Sequence, residues 1–156
     1  MAFFRSAFIS LFILVPLTAQ ATNHQEGILL IQGGVERTLS LSDLRDSADV
    51  ATELYEPFRR DQIEIRGIRF ADFVRQNFEG TPSAIELQAH DGYTIKITDW
   101  QDRNWILMTH EGERPLTLRT HGPVRLVQED LRDRNPEILR DFIDWVWMIQ
   151  RIEAKP

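Results

Sequence analysis

Arg125, His121, Arg119 and Tyr93 are the side chains of this sequence whose types and spacing suit a binding chemistry. His121 immediately precedes Gly122-Pro123 and stands at the mouth of the strand predicted over Val124–Val127, beside Arg125. An arginine in that position can grip an anionic ligand through two parallel N–H···O bonds, or pair with a structural carboxylate such as Glu153. Arg119 adds a second cation and Tyr93 a phenol, so a shallow anion-accepting groove is the chemistry expected of the set. The four histidines, His24, His90, His110 and His121, show no spacing that places two ligands on one helix face or in a zinc knuckle. Each reads as a solvated or hydrogen-bonded loop residue, and no metal site is expected. Glu129-Asp130 and Asp141/Asp144 read as solvated acidic faces, and there is no phosphate-cradling glycine loop, nucleophile elbow or Ser/His/Asp order. The chain has no cysteine, so neither a thiolate ligand nor a disulfide is available to it.

The surroundings of these residues are bounded by composition. Arg5, the apolar run Ala7–Leu17 and the small residues of Thr18-Ala19-Gln20-Ala21 read as a secretory signal over residues 1–21, cleaved after Ala21. A membrane-spanning helix requires about 20 apolar residues, and this run is shorter and contains Pro16. Residues 22–156 are then expected to form one soluble domain in an extracytoplasmic space, periplasmic or secreted, with no transmembrane segment after cleavage. The whole chain carries 18 basic and 24 acidic residues, a formal charge of −6, which becomes −7 without Arg5. That charge repels nucleic acid and anionic lipid headgroups, and neither is an expected partner. With no disulfide, the domain must be held by its apolar core, for which its four Trp and the five of the chain's nine Phe that lie beyond residue 21 offer material.

The elements that must position the candidate residues follow from periodicity. Ile28–Ile31, Gly33-Gly34 and the alternation Val35, Arg37, Leu39, Leu41 predict a hairpin, after which Ser40 and Asp43 cap a short helix facing Leu44 and Ala48 inward. Residues 49–62, with Pro57 and Arg59-Arg60-Asp61, keep neither period and read as a surface loop. Phe70, Phe73, Val74 and Phe78 fall at helical spacing, with Gly80 and Pro82 as the stop. Ile85, Leu87, Ala89 and then Tyr93, Ile95, Ile97 alternate on either side of Asp91-Gly92, which predicts a second hairpin with a type I′ turn. Asp91 serves there as a turn former, with a binding role secondary. Trp105–Met108 and Val124–Val127 read as strands, Glu111-Gly112 as a turn and Glu129–Arg134 as an exposed loop. Asn135-Pro136-Glu137 opens a predicted helix carrying Ile138, Leu139, Phe142 and Ile143. Trp145, Trp147 and Ile149 suit a closing strand at period two, while local periodicity alone also suits a helix continuing to Ile152. The tryptophans read as core packing or as the walls of a groove.

Four blocks stand in a telling order: Asp91-Gly92-Tyr93, Gly112-Glu113-Arg114-Pro115-Leu116, His121-Gly122-Pro123-Val124-Arg125-Leu126-Val127, and Trp145-Val146-Trp147 followed by Ile152-Glu153. With the helix before them, they resemble the oxidoreductase molybdopterin-binding domain of sulfite-oxidase type, and in particular its small extracytoplasmic members. The resemblance covers about residues 63–153 and, more loosely, 28–44. It implies an α+β domain with a curved, mostly antiparallel sheet and a few short helices, and it favours the strand reading at Trp145–Ile149.

The same resemblance sets scaffold and chemistry apart. Enzymes of this family hold molybdenum partly through a cysteine thiolate placed ahead of the matched blocks, where this chain has only the stretch 49–62. Those working outside the cytoplasm typically carry a twin-arginine signal, and this chain offers Arg5 alone. The resemblance therefore implies a reduced domain without cofactor: a non-catalytic module that binds a small anionic ligand or a membrane-bound signalling or redox protein. The alternative is a molybdopterin-dependent oxidoreductase whose cofactor is held without a protein thiolate, in a deep pocket for which Arg119 and Arg125 are the main cationic candidates. A purely structural partner, with no concave site, is the third reading.

Overall fold

Alternating apolar residues build two sheets whose buried faces meet in one core. In the computed structural model, which describes residues 26–156, β1 (Gly27–Gln32) and β2 (Val35–Ser40) form the expected first hairpin around Gly33-Gly34. The Ser40 hydroxyl accepts from the Asp43 amide at 3.1 Å and caps α1 (Leu41–Asp46). β5 (Ala84–Ala89) and β6 (Thr94–Ile97) form the hairpin around Asp91-Gly92, and β10 (Ile149–Lys155) lies between β1 and β5. The strand order of this sheet is β2-β1-β10-β5-β6, antiparallel except where β10 runs parallel to β1. Ile28, Leu30, Ile85, Leu87 and Ile152 point inward from it with 0 or 1 % exposure.

The second sheet joins β3 (Val50–Glu56), β4 (Asp61–Arg69), β7 (Trp105–Glu111), the two-residue β8 (Arg114–Pro115) and β9 (Arg125–Gln128). All its pairings are antiparallel, and β8 and β9 both pair with β7. α2 (Phe70–Asn77) packs on β4 and β7 through the buried Phe70, Phe73 and Val74. The result is an α+β, mostly antiparallel architecture with short helices, arranged as two five-stranded sheets. Among the described residues, no helix is long and apolar enough to cross a membrane. The signal expected over residues 1–21 lies outside the described residues.

Five expectations require correction. The stretch 49–62 is an antiparallel hairpin, not a loop; its turn is confined to Pro57–Arg60, and the outward residues of β3 and the inward, charged Glu56 hide the alternation. The turn at Asp91-Gly92 is not type I′. Only Gly92 has positive φ (89°), and Gly92 N–H donates to the Ala89 carbonyl at 3.0 Å while Ala89 N–H donates to that of Tyr93 at 2.8 Å. This is the three-residue loop that ends in a left-handed glycine. The predicted helix after Asn135 shrinks to a 3-10 turn, Leu139–Phe142, because only Phe142 finds the core while Ile138, Leu139 and Ile143 stay exposed. Phe78 caps α2 in extended conformation, outside the helix, and is buried there. The closing strand begins only at Ile149, so Trp145 and Trp147 precede it.

Candidate functional site: an aromatic groove over a buried ion pair

The segment Val146–Ile149 is laced to its neighbours through main-chain bonds, and this brings the sequence blocks together. Leu126 N–H donates to the Val146 carbonyl (2.8 Å), Met148 N–H to that of His121 (3.0 Å) and Ile149 N–H to that of Val124 (3.2 Å). His90 N–H, at the tip of the β5–β6 hairpin, donates to the Met148 carbonyl (2.9 Å). The blocks around Tyr93, His121–Val127 and Trp145–Trp147 therefore meet at one end of the domain. The block Gly112–Leu116 is attached through Gly122, whose amide donates to the Thr117 carbonyl at 2.7 Å. A Cβ at position 122 would meet the Leu116 Cβ at 2.5 Å, so glycine is what permits this approach.

Trp147 is the centre of the cluster. The Arg125 guanidinium lies over its ring, 4.9 Å from the centroid, and the His121 ring packs against it at 4.7 Å and 50°. Phe58, from the β3–β4 turn, meets it edge to face at 4.9 Å. Arg125 is 2 % exposed and Glu56 1 %, with Nη2 and Oε1 at 3.5 Å. That separation is long for a charge-assisted hydrogen bond, and Arg125 Nε and Nη2 and Trp147 Nε1 have no hydrogen-bond partner among the described residues. Burial pulls the Arg125 guanidinium below its ordinary range, and the carboxylates of Glu56 and Glu111 oppose the shift. The carboxylate facing Arg125 is thus Glu56. Glu153 instead binds Lys155 (2.7 Å) and Arg151 (2.5 Å), which hold its carboxyl below the usual range.

Beside this closed compartment opens a groove of about 280 Å³, walled by Phe58, Tyr93, Phe142, Trp145 and Trp147, with Asp91 and Ile143 at its margin. Phe142 and Trp145 pack edge to face at 5.4 Å. The Tyr93 hydroxyl donates to the Ile143 carbonyl at 2.8 Å and ties the hairpin tip to the 3-10 turn. That turn is held by Arg134, whose guanidinium grips Asp144 through two bonds of 2.6 and 2.5 Å and lies 5.7 Å from the Phe142 centroid. Phe58, Tyr93, Leu139 and Ile143 are 37, 44, 44 and 62 % exposed, an unusual gathering of large apolar side chains in water.

Of the four residues singled out from sequence, His121 and Arg125 converge on Trp147, and Tyr93 shares the groove that Trp147 walls. Arg119 stands apart, in a separate cleft with Arg45, His90 and Leu118. Sequence reasoning missed Phe58 and Glu56, which come from the stretch expected to be a loop. Leu54 and Glu56 share the inward face of β3, with Leu54 opposite Ile63, and that period carries the signal once the charged residue is allowed to face inward.

No protein-family model and no curated protein matches the chain. Among solved structures it is similar to the sulfane dehydrogenase SoxCD from Paracoccus pantotrophus, with a TM-score of 0.57 at 12 % identity. The likeness is one of fold. It covers 83 % of this chain and 38 % of that one, so the chain spans well under half of the protein it resembles.

Proposed function

We propose that this chain is a non-catalytic binding module on a sulfite-oxidase-type scaffold, exported to the periplasm or secreted, and that the aromatic groove is its binding surface. The observation that carries the reading is the convergence of exposed Phe58, Tyr93, Leu139 and Ile143 on a concave site. A membrane-bound signalling or redox protein that inserts a side chain between them is the kind of partner this rim suits. A small anionic ligand would have to draw on Arg125, which faces Glu56, or on Arg119 in the other cleft.

The second reading, a molybdopterin-dependent oxidoreductase, draws on the fold likeness to the sulfane dehydrogenase. The residues present do not fit that cofactor. The chain supplies no thiolate, and among the described residues no three His, Cys, Asp or Glu side chains gather to hold a metal. Arg119 and Arg125 occupy separate compartments, so they do not form the cationic lining a pterin phosphate requires. The test is metal analysis with fluorescence of released pterin on protein purified from its native compartment. Absence of both is the expected outcome; molybdenum approaching one per chain would overturn the proposal.

A further inference from the structure

We propose that the aromatic groove is a site for an organic cation, a small quaternary or alkylated ammonium group. This deepens the binding-module reading and rests on it. The walls supply the first argument. Aromatic rings present negative electrostatic potential on their faces, and a cage of several rings attracts a weakly hydrated cation more than it attracts a neutral group of the same shape. Phe58, Tyr93 and Trp147 are the partly exposed rings, and Phe142 and Trp145 close the groove as buried walls.

Charge supplies the second argument. Asp91 is the one acidic or basic side chain among the described residues that line the groove. Its Oδ1 accepts from the Tyr93 amide at 3.0 Å, and among the described residues no hydrogen bond engages Oδ2. The nearby cations do not cancel this preference. Arg125 lies over Trp147 with Glu56 as its counter-charge, and Arg134 lies over Phe142 with Asp144 bound through both oxygens. Neither arginine lines the groove. The chain's net charge of −6 further enriches cations near its surface.

Size supplies the third. At about 280 Å³ the groove falls at the small end of ligand clefts, which run roughly 300–1,000 Å³. It suits a headgroup rather than an extended molecule. Such a ligand would place its alkyl groups against the rings and its charge toward Asp91, with the remainder of the molecule leaving over Ile143.

The experiment titrates the purified full domain with three probes of similar bulk: choline, its neutral isostere in which carbon replaces the ammonium nitrogen, and benzoate. Binding is read by tryptophan fluorescence and by chemical-shift changes at the indole N–H groups. Choline is expected to bind about fivefold or more tighter than the isostere, in keeping with cation attraction at a partly exposed ring. Asp91→Asn, which keeps the acceptor for the Tyr93 amide, is expected to lose severalfold in choline affinity, and Phe58→Ala more. Equal affinity for choline and the isostere, preference for benzoate, or no binding of choline would each overturn the inference. None of these outcomes touches the binding-module reading, which falls on the metal and pterin measurement instead.

Discussion

Two compartments share Trp147, and they solve opposite problems. The Arg125–Glu56 compartment is closed, charged and imperfectly hydrogen bonded; the groove beside it is open, apolar and rimmed by aromatic side chains. A buried ion pair costs solvation that its attraction only partly offsets, so it is weak evidence for stabilisation but a strong constraint on geometry. The exposed rings forgo burial that a folded chain ordinarily gains, and groups left in that condition point to an occupant. The difference separates structure from function within one cluster: the charges fix Trp147, and the rings around it face outward.

The closed compartment is most sensitive at Glu56. Glu56→Gln removes the counter-charge from a buried guanidinium and is expected to destabilise the fold by about 3 kcal/mol, measured by urea unfolding. A loss below about 1 kcal/mol would show that Arg125 is solvated by other means and that the compartment is not closed. Next in size is Gly122→Ala. Its new methyl would press on Leu116 and Thr117, at an expected cost of about 1–3 kcal/mol, and should perturb the indole signal of Trp147 through the His121 to Met148 bond.

Phe58→Ala sharpens the comparison from the other side. The ring is 37 % exposed and meets Trp147 edge to face, so the substitution is expected to cost about 1–2 kcal/mol of unfolding stability, less than Glu56→Gln, while weakening choline binding more than Asp91→Asn does. A large stability loss with binding retained would reverse the roles assigned to the two compartments. The smallest effect is expected at His110, outside both. Burial, then the charges of Arg66 and Arg45, lower its pKa from 6.5. The unfolded chain therefore binds this proton at higher pH than the folded chain does. Stability from this group is complete above about pH 6.5 and declines as the pH falls toward the folded value. Thermal unfolding across that range should show the slope, and His110→Gln should remove it.

Where local pattern and tertiary environment agree, the sequence is readable. The hairpins around Gly33-Gly34 and Asp91-Gly92 and the inward face of α2 follow from alternation and helical spacing, because each buries a face of one chemical kind. The hairpin of β3 and β4 breaks that agreement: its inward position 56 is a glutamate, justified only by an arginine far along the chain. The helix expected after Asn135 fails for the complementary reason. Its capping signals are real, and Asn135 Oδ1 accepts from the Glu137 amide at 3.0 Å, but the sheets offer a place for Phe142 alone. The Arg134–Asp144 clamp then bends the chain into a turn. His121, Arg125 and Tyr93 were legible as a neighbourhood from the order of their blocks. Phe58 was not, since nothing local distinguishes an aromatic at a turn that packs on Trp147 from one that does not.

The placement of β10 bears on how the molecule comes to be made. Among the described residues, the strand latest in chain order occupies the middle of its sheet, parallel to β1 and flanked by β5. Until residues 149–155 take their place, the edges of β1 and β5 that face β10 stay unmatched. Closure of this sheet therefore joins segments far apart in the sequence at once. Loss of those seven residues would leave two separate hairpins rather than a shortened sheet.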